Sequence, residues 1–288
     1  MLPASESVYS KPPVSHPPGW SRLQVAAGGR IIVSGSQAVN PAGEWKVTKL
    51  YTRLAHIYHE MYQSIFDYEH EFRQCHAIFR RHASKSVLEI GCGAGNLAKY
   101  FLDAGYDYTG MDVAKPMLQI ARRERPEARF VHGDMCRFSF RRKFDAVLIG
   151  GRSFTYMTTN EKVRNALQSI RRVLKPGGIL VFDNFDAEGV FRDLAEPLRD
   201  EVRIGTKTIT RTSERSMNLK TGWTWNWDAT YVVRDGRTKE TFSDHSVLRA
   251  FTRDELRLFL VLTGFSPIRF SRGRHTILAV ARAVGYTR

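Results

Sequence analysis

The run Val87-Leu88-Glu89-Ile90-Gly91-Cys92-Gly93-Ala94-Gly95-Asn96 constrains this chain more than any other stretch. Val87, Leu88 and Ile90 read as a short buried strand, the glycines as a tight turn, and Asn96 to Phe101 as the start of a helix. A strand that enters a glycine turn and opens a helix lets backbone N–H groups approach a ligand, and the helix N-terminus favours negative charge. Gly91, Gly93 and Gly95 follow a G-x-G-x-G spacing; the G-x-G-x-x-G fingerprint would need glycine at position 96, which is Asn96. A structural turn is the plainer reading of the glycines alone. Glu89 favours a binding turn, because a buried strand rarely carries a carboxylate that nothing polar meets.

The rest of the central region repeats the pattern. Tyr106 to Asp112 reads as a second strand, and Asp112 falls about twenty residues after Gly91, where βαβ nucleotide folds place a ribose-binding acid. A third strand, Ala128 to His132, ends in Gly133-Asp134-Met135; Phe144 to Ile149 reads as a fourth and Leu174 to Asp183 as a fifth. Pro116 marks the first turn of the helix that carries Met117. Thr158-Thr159-Asn160-Glu161 offers a capping box for a helix whose buried stripe is Val163, Leu167, Ile170 and Leu174. Strand and helix alternate throughout, which predicts an α/β domain with a parallel sheet covered on both faces.

This ordered series, over roughly residues 85–183, resembles the class I S-adenosylmethionine-dependent methyltransferases. The resemblance implies a Rossmann-like seven-stranded methyltransferase sheet with S-adenosylmethionine as cofactor. It implies that the backbone at Gly91, Cys92 and Gly93 holds the methionine part, with Glu89 close to its ammonium and Asp112 on the ribose hydroxyls. Asp134 and the Met135 backbone would face the adenine, with Val113 and Met117 packed on the ring; Tyr58 and Gly150 complete the expected cofactor set. For Asp134, capping of its own turn is the alternative.

Composition narrows the setting. A net charge of +15 fits nucleic-acid binding or attraction to acidic small molecules, yet the basic residues are spread and not interleaved with aromatics, so solvated surface is the favoured reading. The three cysteines, Cys75, Cys92 and Cys136, make no disulfide framework, and no apolar run reaches the length of a membrane span. No secretory signal pattern is present, so a reduced, cytoplasmic location is expected. His56, His59 and Glu60 are the nearest approach to a ligand cluster, and no metal is expected.

Around the core, residues 1–46 read as a flexible Pro/Gly-rich tail, with Ile31-Ile32-Val33 as a short strand within it. Residues 47–84 read as two helices broken near Phe66-Asp67, a helical lid bearing Tyr51, Tyr58, Tyr62 and Tyr68, whose ring faces suit a sulfonium charge. Residues 184–244 contain an inserted antiparallel β meander, with Arg203 to Thr210 as one of its β stretches. Residues 245–288 read as a last helix, entered by His245 and Arg249, and a closing hairpin. The tyrosine-rich lid, Gly133-Asp134-Met135, the helix after Tyr156 and the meander together look like the branch of deoxyaminosugar N,N-dimethyltransferases and glycine N-methyltransferase-like enzymes. That resemblance implies methyl transfer to N or O of a small-molecule acceptor, with an RNA or protein acceptor as the alternative. Tyr62, Arg152, Tyr156 and His245 are the candidate catalytic residues, Arg152 as a fork for a carboxylate or phosphate. A homodimer through the β insertion is a further expectation, nucleic acid is the less favoured partner, and no membrane partner is expected.

Overall fold

The structure, a computed structural model, describes residues 48–52 and 54–285. The expected tail and its Ile31-Ile32-Val33 strand lie outside the described residues. The chain opens with α1 (Ala55–Ile65) and α2 (Tyr68–Arg81). They break where expected: Phe66 leaves the helical region, and the Asp67 side chain caps α2 by accepting from the His70 amide at 2.8 Å. The core then runs β1 (Ser86–Ile90), α3 (Ala98–Asp103), β2 (Asp107–Asp112), α4 (Lys115–Glu124), β3 (Arg129–His132), β4 (Phe144–Ile149), α5 (Asn160–Val173) and β5 (Leu174–Phe185). Thr159, not Thr158, caps α5, its hydroxyl accepting from the Lys162 amide at 3.2 Å, so Glu161 falls one position short and the expected capping box does not form.

After β5 comes a short helix the sequence did not announce, α6 (Ala187–Arg192), capped by Asp186. Four antiparallel strands follow: β6 (Leu198–Ile204), β7 (Lys207–Met217), β8 (Trp223–Asp235) and β9 (Thr238–Ala250). Arg203 to Thr210 is therefore not one β stretch. Gly205 at φ +58° turns it into the β6–β7 hairpin, a left-handed conformation that glycine adopts without strain. The chain ends with α7 (Arg253–Leu262), capped by Thr252, then β10 (Phe265–Arg272) and β11 (Thr276–Ala283).

The first sheet has seven strands in the order β10-β11-β5-β4-β1-β2-β3, parallel except for β11, which runs antiparallel to both its neighbours. Its central strands β1 and β4 are buried along almost their whole length because helices cover both faces. β1 and β4 flank the point where strand order reverses, so their carboxyl ends open the crevice that α/β sheets use for ligands.

α1 joins the two sheets. Its Ala55 packs with Ala94, Ala114, Met117 and Ile120 beside the glycine turn, while Met61, with the preceding Leu50 and Leu54, packs against Val202, Ile209 and Tyr231 of the meander. The opposite edge of the parallel sheet collects bases: exposed Arg80, Arg81, Lys85, Arg141, Lys143, Arg172 and Lys175. Arg80, Arg81 and Arg172 lie in the last turns of α2 and α5, where cations complement the helix dipoles. Among the described residues, no helix is long and apolar enough to cross a membrane.

Candidate active site at the carboxyl edge

The glycine turn is tied to β2 before any side chain is considered. The amides of Gly91 and Cys92 donate to the Met111 carbonyl at 2.7 and 3.1 Å. The Asp112 carboxylate then takes the Gly93 amide on one oxygen and the Ala114 amide on the other, both at 2.8 Å. Two amides from different segments fix the plane of this carboxylate and leave each oxygen with further accepting capacity. Burial raises its pKa, and the amides of Ala114, Gly93 and Val113 oppose the rise. Met117 is buried beneath Gly93, and Val113 is half-buried beside Asp112. Asp134 accepts the Cys136 amide at 2.8 Å and pairs with Arg137 at 3.4 Å, so it caps its own turn. Met135 is buried next to it.

Glu89 is the least ordinary residue of β1. It is 4 % exposed, and the Tyr108 hydroxyl donates to it at 2.5 Å. Burial pushes its pKa to about 8; the Tyr108 bond resists this, while the charges of Glu71 and Asp112 add to it. A buried carboxyl facing other carboxylates is the complement of a cationic ligand group.

The loop after β4 forms the adjacent wall. Gly150 is buried, Gly151 and Arg152 both have φ +59°, and a single turn of 3-10 helix, Ser153 to Tyr156, follows. The Arg152 amide donates to Asp183 at 2.7 Å, and its guanidinium lies 5.4 Å from the ring centre of Phe66 and 5.2 Å from that of Phe185. Tyr156 shares a hydrogen bond of 3.0 Å with Tyr51, hydroxyl to hydroxyl. Tyr51 meets Tyr58 edge to face, Tyr58 stacks on Tyr62 at 4.1 Å, and Tyr62 stacks on Phe66 at 5.1 Å. Tyr62, Arg152 and Tyr156 thus belong to one continuous aromatic wall. The Tyr62 hydroxyl is held by Arg211 of β7 at 2.5 Å, and Arg211 also pairs with Asp200.

His245 and Arg249 do not enter the last helix. Both lie on β9, because the alternating pattern continues to Ala250 and the helix cap, Thr252, comes later. His245 points to solvent and bonds the Asp228 carboxylate at 2.6 Å, away from the tyrosine wall. Its neighbour Asp244 faces inward instead: it accepts the Leu50 amide at 3.2 Å, and its charge reaches Tyr156. Arg249 is buried and bonds Asn160 and Glu255, fastening the meander to the start of α5 and α7. His59 is buried, and Glu60 pairs with Lys207 at 2.7 Å. Among the described residues, no group of three or more His, Cys, Asp or Glu is placed to hold a metal ion.

Three site residues escaped the sequence reading: Glu71 on α2, Asp183 on β5 and Asp244. Asp183 is an acid near the carboxyl end of β5, beside the turn after β4, which was a usable signal. Asp244 was one step of strand alternation from the residue chosen. Glu71 had no signal, since it sits among other charges on an amphipathic helix.

The chain is similar to known methyltransferases. A methyltransferase-domain family model matches residues 87–178. Over 182 residues the chain is 29 % identical to a Streptomyces venezuelae dTDP-3-amino-3,4,6-trideoxy-alpha-D-glucopyranose N,N-dimethyltransferase, covering 63 % of this chain and 75 % of that one. The crystal structure of Streptomyces venezuelae DesVI superposes with a TM-score of 0.69 at 25 % identity, covering 76 % of this chain and 96 % of that one. The sugar N-methyltransferase KedS8 from Streptoalloteichus shares the fold, with a TM-score of 0.69 at 22 % identity over 88 % of this chain and 99 % of that one.

Proposed function

We propose that this chain, a class I S-adenosylmethionine-dependent methyltransferase, methylates the amine of a small sugar-like acceptor held under α1. The observation that carries this reading is the position of α1, packed at once on the residues beside the glycine turn and on the meander. A helix bridging both sheets roofs the region between Asp112 and Tyr156, which suits a small acceptor better than a polymer. The named sugar substrate of the Streptomyces venezuelae relative supports an amino sugar as the acceptor class.

The residues fit the cofactor. Asp112, oriented by two amides, is the proposed ribose ligand, Gly91, Cys92 and Gly93 the backbone around the methionine part, and buried Glu89 the partner of its ammonium. When bound, S-adenosylmethionine supplies a methyl group on a sulfonium that leaves readily. The task left to the protein is alignment and exclusion of water. Tyr58 and Tyr62 present ring faces, Arg152 offers a guanidinium to an acidic group of the acceptor, and Tyr156 with Tyr51 provides a hydroxyl pair beside it. Burial raises the pKa of both phenols, so they remain neutral near pH 7 and hydrogen-bond the acceptor without deprotonating it. The acceptor amine therefore has to arrive unprotonated, and turnover should follow the neutral amine fraction.

RNA or protein acceptors fit less well, because the bases collected on the amino edge lie across the sheet from this site. A homodimer through the β insertion, with exposed Met217, Leu219 and Trp223 at the β7–β8 turn as its contact, and a cytoplasmic location remain proposals. Sedimentation of wild type and Trp223→Glu tests the dimer. A panel of amino sugars, simple amines and phenols, assayed for S-adenosylhomocysteine release, tests the function. Turnover confined to phenols or to RNA would overturn the amine reading.

A further inference from the structure

The turn Gly150-Gly151-Arg152 is held from two sides by carboxylates. From β5, Asp183 accepts the Arg152 amide at 2.7 Å. From α2, Glu71 reaches the same turn: its Oε1 lies so close to Gly150 that a methyl group there would collide with it, and its carboxylate faces the Gly151 amide. Gly151 and Arg152 are both left-handed at φ +59°, and a side-chain-bearing residue in that region costs about 1 kcal/mol or more. Such a conformation persists only where the surroundings hold it. Here the Arg152 amide is bonded to Asp183 on β5, and the Glu71 carboxylate closes on the same turn from α2. Neither contact is needed to build the sheet or α2, since both are made with a loop.

We propose that Glu71 is a positioning residue that clasps the Gly150–Arg152 turn against Asp183 and so sets Arg152 and Tyr156 toward the acceptor. The proposal rests on reading this loop as the acceptor wall. The groups that face Glu71 are Asp183 on β5, Glu89 on β1, Arg152 in the loop, and Tyr68 and Cys75 on α2 itself. Burial, with the Asp183 charge, pushes the Glu71 pKa to about 7, against the pull of Gly151 and Arg152. Below that pH the protonated carboxyl loses its attraction for Arg152, and the clasp loosens. Above it both carboxylates hold the turn.

The test measures backbone amide exchange in the full chain, which needs no substrate. Glu71→Ala should speed exchange of the Gly151 and Arg152 amides at least tenfold, whereas Glu71→Gln, which keeps the contact but not the charge, should fall between Glu71→Ala and wild type at pH 8 and match wild type at pH 6. On lowering the pH from 8 to 6, wild type should lose protection at these two amides beyond the intrinsic pH effect, and Glu71→Gln should not. With an acceptor in hand, Glu71→Ala should raise its KM about tenfold and leave cofactor affinity within about twofold. Exchange at Gly151 and Arg152 unchanged in Glu71→Ala would overturn the clasp. So would Glu71→Gln failing to restore protection, or equal loss of cofactor and acceptor binding, which marks a general structural role. If Glu71→Ala does not fold, the Glu71→Gln and pH comparison decides alone. Failure to find an amine substrate would count against the proposed function and leave the exchange result standing.

Discussion

The two edges of the parallel sheet use the same residue types to opposite ends. At the amino edge, Asp145 caps the start of β1 through Lys85 and Ser86 and pairs with Lys175 at 2.6 Å; Asp107 pairs with Arg142 at 2.6 Å. Partial burial would raise the Asp145 pKa, but the bonds from Lys175 and Ser86 outweigh it and bring it to about 2. At the carboxyl edge, Glu71, Glu89, Asp112 and Asp183 all have pKa values raised by burial. Arg152 faces two of them, Glu71 and Asp183. Carboxylates matched by protein cations stabilise the fold. Carboxylates gathered without enough cations are a cost the fold carries where a ligand supplies the missing charge and hydrogen bonds.

This contrast can be broken in order of expected effect. Asp112→Ala removes two proposed hydrogen bonds to the ribose, each worth about 1.5–3 kcal/mol, and should weaken cofactor binding about a hundredfold or more by calorimetry. Circular dichroism must show the variant folded; unchanged affinity would remove Asp112 from the site. Tyr156→Phe should lower turnover about tenfold and leave cofactor affinity nearly intact, and Arg152→Ala should raise KM several-fold for an anionic acceptor alone. At the other edge, Asp145→Asn should cost about 1–2 kcal/mol in urea unfolding with no change in cofactor affinity. If it altered affinity, the division of labour between the edges would fail.

The pH dependence of stability sharpens the same point. Glu71 and Glu89 have ordinary values near 4.5 and folded values of about 7 and about 8. The folded state then binds more protons than the unfolded one between these limits, so stability falls as pH rises from about 4.5 to about 8. The unliganded protein should lose several degrees of Tm over that range, and saturating S-adenosylhomocysteine should recover them. Asp145 acts with the opposite sign, its contribution fading only as pH drops toward about 2.

The sequence made the carboxyl edge legible because strand, glycine turn, helix and the next acidic strand end are local signals at fixed spacing. That spacing puts Glu89 and Asp112 on this edge, where the structure has them. The acceptor side was less legible for physical reasons. Strand alternation has a period of two, so misplacing the end of β9 put His245 where Asp244 belongs. The β6–β7 turn hides in a β-rich stretch, because Gly205 alone carries the reversal. Glu71 matters through a loop far along the chain, and nothing in its helix separates it from Glu69, which pairs with Arg73 in solvent. Arg211 and Asp200 face each other across β6 and β7, a hairpin hidden in a stretch read without a turn from Arg203 to Thr210.

The most direct test of the account is calorimetry of S-adenosylhomocysteine binding at pH 7 in buffers of different ionisation enthalpy. Glu89 is predominantly protonated in the unliganded site at that pH, and an ammonium placed beside it lowers its pKa. Binding should therefore release a substantial fraction of a proton in wild type and markedly less in Glu89→Gln, with a weaker affinity in the variant. No binding, or binding by wild type without proton release, would contradict the claim that the acids of the carboxyl edge await a cationic cofactor.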